Sequence, residues 1–231
     1  MITLGIETAT SVCSIALIEN GEILVEKSLY EPNIHSEKII SLIDETLNEN
    51  KNFDKIAVSI GPGSFTGLRV GLSTAKGLAY ASKKPIVPIS TLKALAYNLI
   101  LHKLQNGSLI LPLLDARREE FYYALYKVEN KDLEEIFPPK PILFKDLIML
   151  FEADNEYNVI GEGVDKFKSF LNNNQLTLKN LKIYSGNVNL CSAASVALLA
   201  EKIDIKYNLK FIAELEPIYL KDFQTLVKTQ H

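Results

Sequence analysis

Cysteine is scarce in this chain: two thiols, Cys13 and Cys191, occur in 231 residues. Both sit in apolar runs without metal-type spacing, so neither a disulfide framework nor a thiolate metal site is expected, and buried free thiols in a reducing compartment are. Histidine is nearly as sparse, at three. No two of His35, His102 and His231 lie at helical ligand spacing, which argues against a histidine-held metal. No apolar run approaches the ~20 residues of a membrane span. The opening Met1-Ile-Thr-Leu-Gly-Ile-Glu7 has no basic leader and reads as a first strand, so a cytoplasmic location is expected. Positive charge is not in excess either: 25 basic against 28 acidic residues leave a net charge of −3. That is a poor electrostatic footprint for a stand-alone nucleic-acid binder. The 47% hydrophobic and 23% charged residues are ordinary for a soluble globular protein of one or two domains.

The richest stretch runs from Lys55 to Ala79. A short β-type run, Ile56–Ile60, enters a loop rich in Gly, Pro, Ser and Thr, and a helical run from Thr66 to Ala81 follows directly. Strand, glycine loop and helix in that order often cradle a phosphate, because free N–H groups meet the positive helix end. The spacing opposes the familiar versions. A P-loop needs Lys-Ser/Thr after its last glycine, and none follows here. The glycines 61, 63 and 67 leave one residue too many for a dinucleotide fingerprint. In the helix, Gly67, Gly71, Ala75 and Ala79 recur every four residues and form one stripe of small side chains. Glycine inside a helix costs about 1 kcal/mol relative to alanine, so close packing must recover the loss. The stripe is expected to meet another helix, of this chain or of a second one.

Along the chain, Ile2–Glu7, Val12–Glu19 and Glu22–Leu29 read as antiparallel strands, the last two joined by an Asn20-Gly21 turn. His35–Asn48 carries a helical face at Ile39, Ile40, Leu42, Ile43 and Leu47. The Ile56–Ile60 strand, the glycine loop, its helix and a strand at Ile86–Ile89 complete a βββαβαβ unit. A second copy starts near Ser108. Leu109–Leu114 ends at Asp115 as Ile2–Ile6 ends at Glu7. Strands at Glu120–Val128, Glu135–Ile142, Tyr157–Ile160 and Ile183–Tyr184 follow, with helices at Phe144–Phe151, Val164–Leu171 and Cys191–Ile203, the last with Asn189 as its N-cap. The expected organisation is two α/β lobes, residues 1–105 and 106–231, joined through a helix at Leu92–Leu104.

A duplicated βββαβαβ unit whose first strand ends in an acidic residue resembles the superfamily of actin, sugar kinases and heat-shock ATPases. More narrowly, six segments resemble the TsaB (YeaZ) family in order and spacing. They are Ile6-Glu-Thr-Ala-Thr10, His35-Ser-Glu37, Gly61-Pro-Gly-Ser-Phe-Thr-Gly-Leu-Arg-Val-Gly71, Ala75-Lys-Gly-Leu-Ala79, Asp115-Ala-Arg-Arg118 and Pro217-Ile-Tyr-Leu-Lys221. Lys221 stands where the family pattern has arginine. The resemblance implies an accessory subunit in the making of threonylcarbamoyladenosine in tRNA. It would pair with a TsaD-type transferase, be joined by a TsaE-type ATPase, meet tRNA only through that complex, and homodimerise when alone. It also implies that the helix from His35 and the helix after the glycine loop form the pairing surface. The face would use Ile39, Ile43, Leu47, Leu68, Gly71, Leu72, Ala75 and Ala79, with His35 and Arg69 beside it. Leucine in place of Gly71 or Ala75 is then expected to abolish pairing without unfolding the chain.

No chemistry of its own is expected, and no cofactor or metal. The nucleotide-binding relatives use a glycine-containing turn after the first strand, where Glu7-Thr-Ala-Thr10 has alanine. A remnant of that cleft would comprise Glu7, Thr8, Gly61, Gly63 and Asp115. Arg117 is placed to neutralise Asp115. His35 reads as a capping or packing residue, and Arg69 as an interface contact, an internal pair or a ligand contact. Ser64 lies outside the G-x-S-x-G pattern of a nucleophile. The alternative is a self-sufficient actin-like ATP-using enzyme with nucleotide between the lobes.

Overall fold

The computed structural model describes residues 1–31, 34–47 and 52–221. Its first sheet is built from β1 (Ile2–Glu7), β2 (Cys13–Glu19), β3 (Glu22–Leu29), β4 (Lys55–Ser59) and β5 (Ile86–Ile89), in the order β3-β2-β1-β4-β5. Its second sheet holds β6 (Leu109–Asp115), β7 (Glu120–Glu129), β8 (Asp132–Leu143), β9 (Tyr157–Ile160) and β10 (Leu181–Ile183), in the order β10-β9-β6-β7-β8. Counted from each copy's own first strand the two orders are the same. In each, the first strand pairs antiparallel with the second and parallel with the fourth. This is the duplicated actin-like architecture, in two lobes. β1 and β2 are buried on both faces along almost their whole length, as central strands are, and they carry the polar Thr3, Glu7 and Ser14 into the interior with them. β8, with Pro138, Pro139 and Pro141, takes a sheet edge, where missing N–H donors cost little.

The helices are α1 (His35–Leu47), α2 (Phe65–Ser82), α3 (Thr91–Leu101), α4 (Phe144–Leu147, continued by one 3₁₀ turn), α5 (Val164–Asn173), α6 (Ala193–Glu201) and α7 (Leu209–Glu214). The expected end of α1 at Asn48 lies outside the described residues. α1 and α2 cover the outer face of the first sheet around Leu4, Ile6 and Val58. α4 and α5 cover the outer face of the second around Phe121 and Phe167. Between the sheets lies a shared core in which α3 and α6 cross over. α3 follows β5 yet packs on β6, β7 and β8, while α6 follows β10 yet packs on β1, β2 and β4. α6 is rich in alanine and lies so close that a side chain at Gly5 would come within 2.2 Å of the Ala193 carbonyl oxygen. Its N-cap is Ser192, whose hydroxyl accepts from the Ser195 amide, and not the expected Asn189, which sits in the preceding 3₁₀ turn. The short α7 escapes the sequence pattern, although Asn208 caps it from its side chain. Lys55 of β4 is buried beside α6, where its ammonium donates to the Ala200 and Ile203 carbonyls at 3.2 and 2.8 Å and so closes the C-terminus of that helix.

Candidate functional site

A cleft of about 770 Å³ opens between the lobes. The β1–β2 turn (Ala9–Ser11), the start of α1, the glycine loop and the start of α2 wall it on one side. The β6–β7 turn (Leu114–Arg117), Glu162 and the chain from Ile218 to Lys221 wall it on the other.

The glycine loop does not present itself to that space as a phosphate cradle. It closes on the chain's own β1–β2 turn. The Ser64 amide donates to the Ala9 carbonyl at 2.6 Å, and a Cβ on Gly63 would lie 2.2 Å from the same oxygen. The Gly61 amide donates to the Thr91 hydroxyl, and the Gly67 amide to the Ser64 hydroxyl that caps α2. Thr8 is buried beneath α2, where its hydroxyl donates to the Gly67 carbonyl at 2.8 Å. The glycines therefore permit contact between two loops of one protein.

Glu7 is fully buried below the cleft and does not line it. Its Oε1 accepts from the Ala9 amide at 2.5 Å, while Oε2 has no hydrogen-bond partner. Loss of hydration pushes its carboxyl from 4.5 up to about 7, and the charge of Glu162 adds to the rise; the Ala9 amide holds it back. Burial, with the charge of Glu7 beside it, pushes the Cys13 thiol up to about 11, and burial, Glu7 and Glu162 hold the Cys191 thiol well above its ordinary range. Both cysteines are free and buried. Glu162 itself accepts from the Ser11 hydroxyl at 2.9 Å across the lobes. Sequence reading missed it, although a signal exists. Ile160-Gly-Glu-Gly163 after β9 copies Ile60-Gly-Pro-Gly63 after β4, and the first glycines of the two turns have φ of 119° and 120°.

Asp115 lies at the cleft as expected, but its partner is Lys166 of α5, at 2.5 Å. Arg117, with a left-handed φ of 68°, gives its backbone N–H to that carboxylate at 2.7 Å, and the ion pair of Asp115 is made with Lys166. His35 is buried against β2, its Nε2 3.1 Å from the Val12 carbonyl. Among the described residues no three His, Cys, Asp or Glu side chains are grouped to hold a metal ion.

The helical pairing face needs a correction. Ile39, Ile43, Leu68, Gly71, Leu72, Ala75 and Ala79 are buried within this chain, and Leu47 is partly so. The small-residue stripe of α2 meets the β1–β2 turn and α1: a Cβ on Gly71 would sit 2.2 Å from the Thr8 hydroxyl. Leucine at Gly71 or Ala75 would damage the fold before it touched any interface. The outward stripe of α2 is a different one, Arg69, Ser73, Gly77 and Tyr80, and α1 exposes Ile40. Tyr80 and Ile40 are 59% and 61% exposed, and a side chain at Gly77 would meet nothing within 4 Å. Arg69 heads this stripe. Its guanidinium lies 3.9 Å over the Phe65 ring and its Nε donates to the Tyr219 hydroxyl at 3.0 Å, an internal pairing.

The sequence profile of TsaD, described as tRNA N6-adenosine threonylcarbamoyltransferase, matches residues 32–226. The tRNA threonylcarbamoyladenosine biosynthesis protein TsaB of Haemophilus influenzae is 32% identical over 97% of this chain and 95% of its own. TsaB of Bacillus subtilis is 32% identical over 74% and 75% respectively. Among solved structures, YeaZ from Pseudomonas aeruginosa superposes with a TM-score of 0.76 at 21% identity, over 95% of this chain and 99% of that one, a likeness of fold.

Proposed function

The chain belongs to the TsaB (YeaZ) family of tRNA threonylcarbamoyladenosine biosynthesis proteins, and on that premise we propose that it performs no chemistry itself and docks a TsaD-type transferase through the outward face of α1 and α2. The observation that carries the docking is Gly77. A mid-helix glycine with open space above it costs about 1 kcal/mol and repays nothing inside this chain. A backbone that must be approached closely by a partner accounts for it, and the exposed Ile40 of α1 and Tyr80 of α2 supply apolar area for that partner. The absence of intrinsic catalysis is supported by the glycine loop, whose space is filled by Ala9. The protein's part in the modification is then to favour a working conformation of the transferase, a shift of population. A TsaE-type ATPase joins the pair in this reading, tRNA is met through the complex, and the chain alone homodimerises by the same face in the cytoplasm.

Light-scattering mass of the chain alone and mixed with the TsaD-type subunit of the same cell tests this. A homodimer that becomes a one-to-one heterodimer is expected, and Gly77→Trp should abolish both while circular dichroism stays unchanged. Pairing that survives Gly77→Trp would place the interface elsewhere.

A further inference from the structure

The segment from Leu215 to Lys221 belongs to neither helix nor strand, yet it is tied down at Ile218, Tyr219 and Lys221. It leaves α7, which is fastened to α2 by Lys76 donating to the Ala213 carbonyl at 2.9 Å. It then crosses the glycine loop, where the Ile218 amide donates to the Ile60 carbonyl at 2.7 Å. The crossing is close enough that a Cβ on Gly61 would lie 2.6 Å from the Ile218 oxygen. Tyr219 follows, 5.2 Å from the Phe65 ring and bonded to Arg69. Lys221 ends the run on the other lobe, donating to the Ala116 carbonyl at 2.7 Å and pairing with Glu120 of β7.

These contacts join the two lobes at the rim of the cleft by a strap that has no core of its own. Ile218 and Tyr219 remain 40% and 39% exposed, and the Lys221 and Glu120 side chains 29% and 32%. A segment held by a few part-exposed polar contacts opens at far lower cost than the sheets it crosses. One of its fastenings, Arg69, stands on the outward stripe of α2, eight residues or about 12 Å along the helix from Gly77.

We propose that this strap is an interlobe latch, and that a partner docked on the outward face of α2 acts on the cleft through Arg69, Tyr219 and Lys221. The coupling rests on the docking reading above, whereas the latch itself does not. Docking that draws Arg69 off the Tyr219 hydroxyl loosens the strap, and loosening frees the β6–β7 turn at Ala116 and Glu120 on the far side of the cleft. A partner that instead presses Arg69 onto Phe65 and Tyr219 tightens the same turn. In either sense the signal at residues 116–120 travels by way of Lys221.

Hydrogen–deuterium exchange on the full chain tests both parts. In the chain alone, Lys221→Ala should speed amide exchange at residues 116–120 and 215–221 by roughly threefold to tenfold, with β1 and β4 unchanged. Unchanged exchange in those two segments, or a uniform rise throughout, overturns the latch. With the TsaD-type subunit added, wild-type chain should show altered exchange at residues 116–120. Lys221→Ala and Tyr219→Phe should lose that response while still forming the heterodimer by light scattering. Heterodimer formation with no change at 116–120, or a change that persists in both variants, overturns the coupling and leaves docking intact. Failure to form the heterodimer at all sinks the docking reading and the coupling with it, and the exchange of the isolated variant still judges the latch.

Discussion

Glu7 should make this protein less stable as pH rises, and replacing it with glutamine should remove that loss. The carboxyl is fully buried and titrates at about 7 in the fold against 4.5 in the open chain. Below pH 4.5 it is protonated in both states and costs nothing. Between 4.5 and 7 the unfolded chain releases a proton that the folded chain retains, so unfolding gains and stability falls with rising pH. Above 7 the difference levels off. At about 1.4 kcal/mol for each tenfold change in proton affinity, the full loss is about 3 kcal/mol. Glutamine keeps the shape, its carbonyl can still accept from the Ala9 amide, and its NH₂ takes the place of Oε2, which has no partner. Thermal unfolding of wild type and Glu7→Gln from pH 4.5 to 8.5 reads the effect, because other carboxylates cancel in the difference. Near pH 4.5 the two should melt together. Near pH 8 the variant should melt higher by about 6–12 °C, taking 2–4 °C per kcal/mol for a chain of this size. A difference that does not grow with pH would refute the argument.

Three further outcomes follow from the packing. Gly77→Ala should stabilise the isolated chain by about 0.5–1 kcal/mol in urea unfolding, because its Cβ meets nothing and alanine is the better helix former; a loss would mean the helix is strained there. Gly63→Ala should cost about 3 kcal/mol, since its Cβ would lie 2.2 Å from the Ala9 carbonyl oxygen, a backbone atom that cannot step aside; a melting temperature within 2 °C of wild type (under about 1 kcal/mol) would show that the two loops separate freely. Lys55→Met keeps the buried stem but removes the donor to the Ile203 carbonyl and one of the donors to the Ala200 carbonyl, which keeps the Ile203 amide, and should cost about 1–3 kcal/mol by chemical denaturation; an unchanged midpoint would show that water serves the Ile203 carbonyl instead.

The order of elements was legible in the chain because it depends on local chemistry. Alternating apolar runs made β1 to β3, Asn20-Gly21 turned the hairpin, and Ser64 before an apolar helical run began α2. The repeat was legible too, down to Asp115 standing where Glu7 stands, and the same logic applied to Ile160-Gly-Glu-Gly163 would have found Glu162. What periodicity states is which residues share a face, and it is silent on what covers that face. The stripe Gly67-Gly71-Ala75-Ala79 was real, but only the folded β1–β2 turn shows that Thr8 fills it, leaving Gly77 on the outward stripe. Asp115 likewise pairs with Lys166, 51 residues away, and takes only a backbone N–H from Arg117 two places on, because the fold brings α5 against the β6–β7 turn. The crossing of α3 and α6 and the strap that ends at Lys221 are contacts between distant segments, and only tertiary packing selects among partners that are chemically equivalent in sequence.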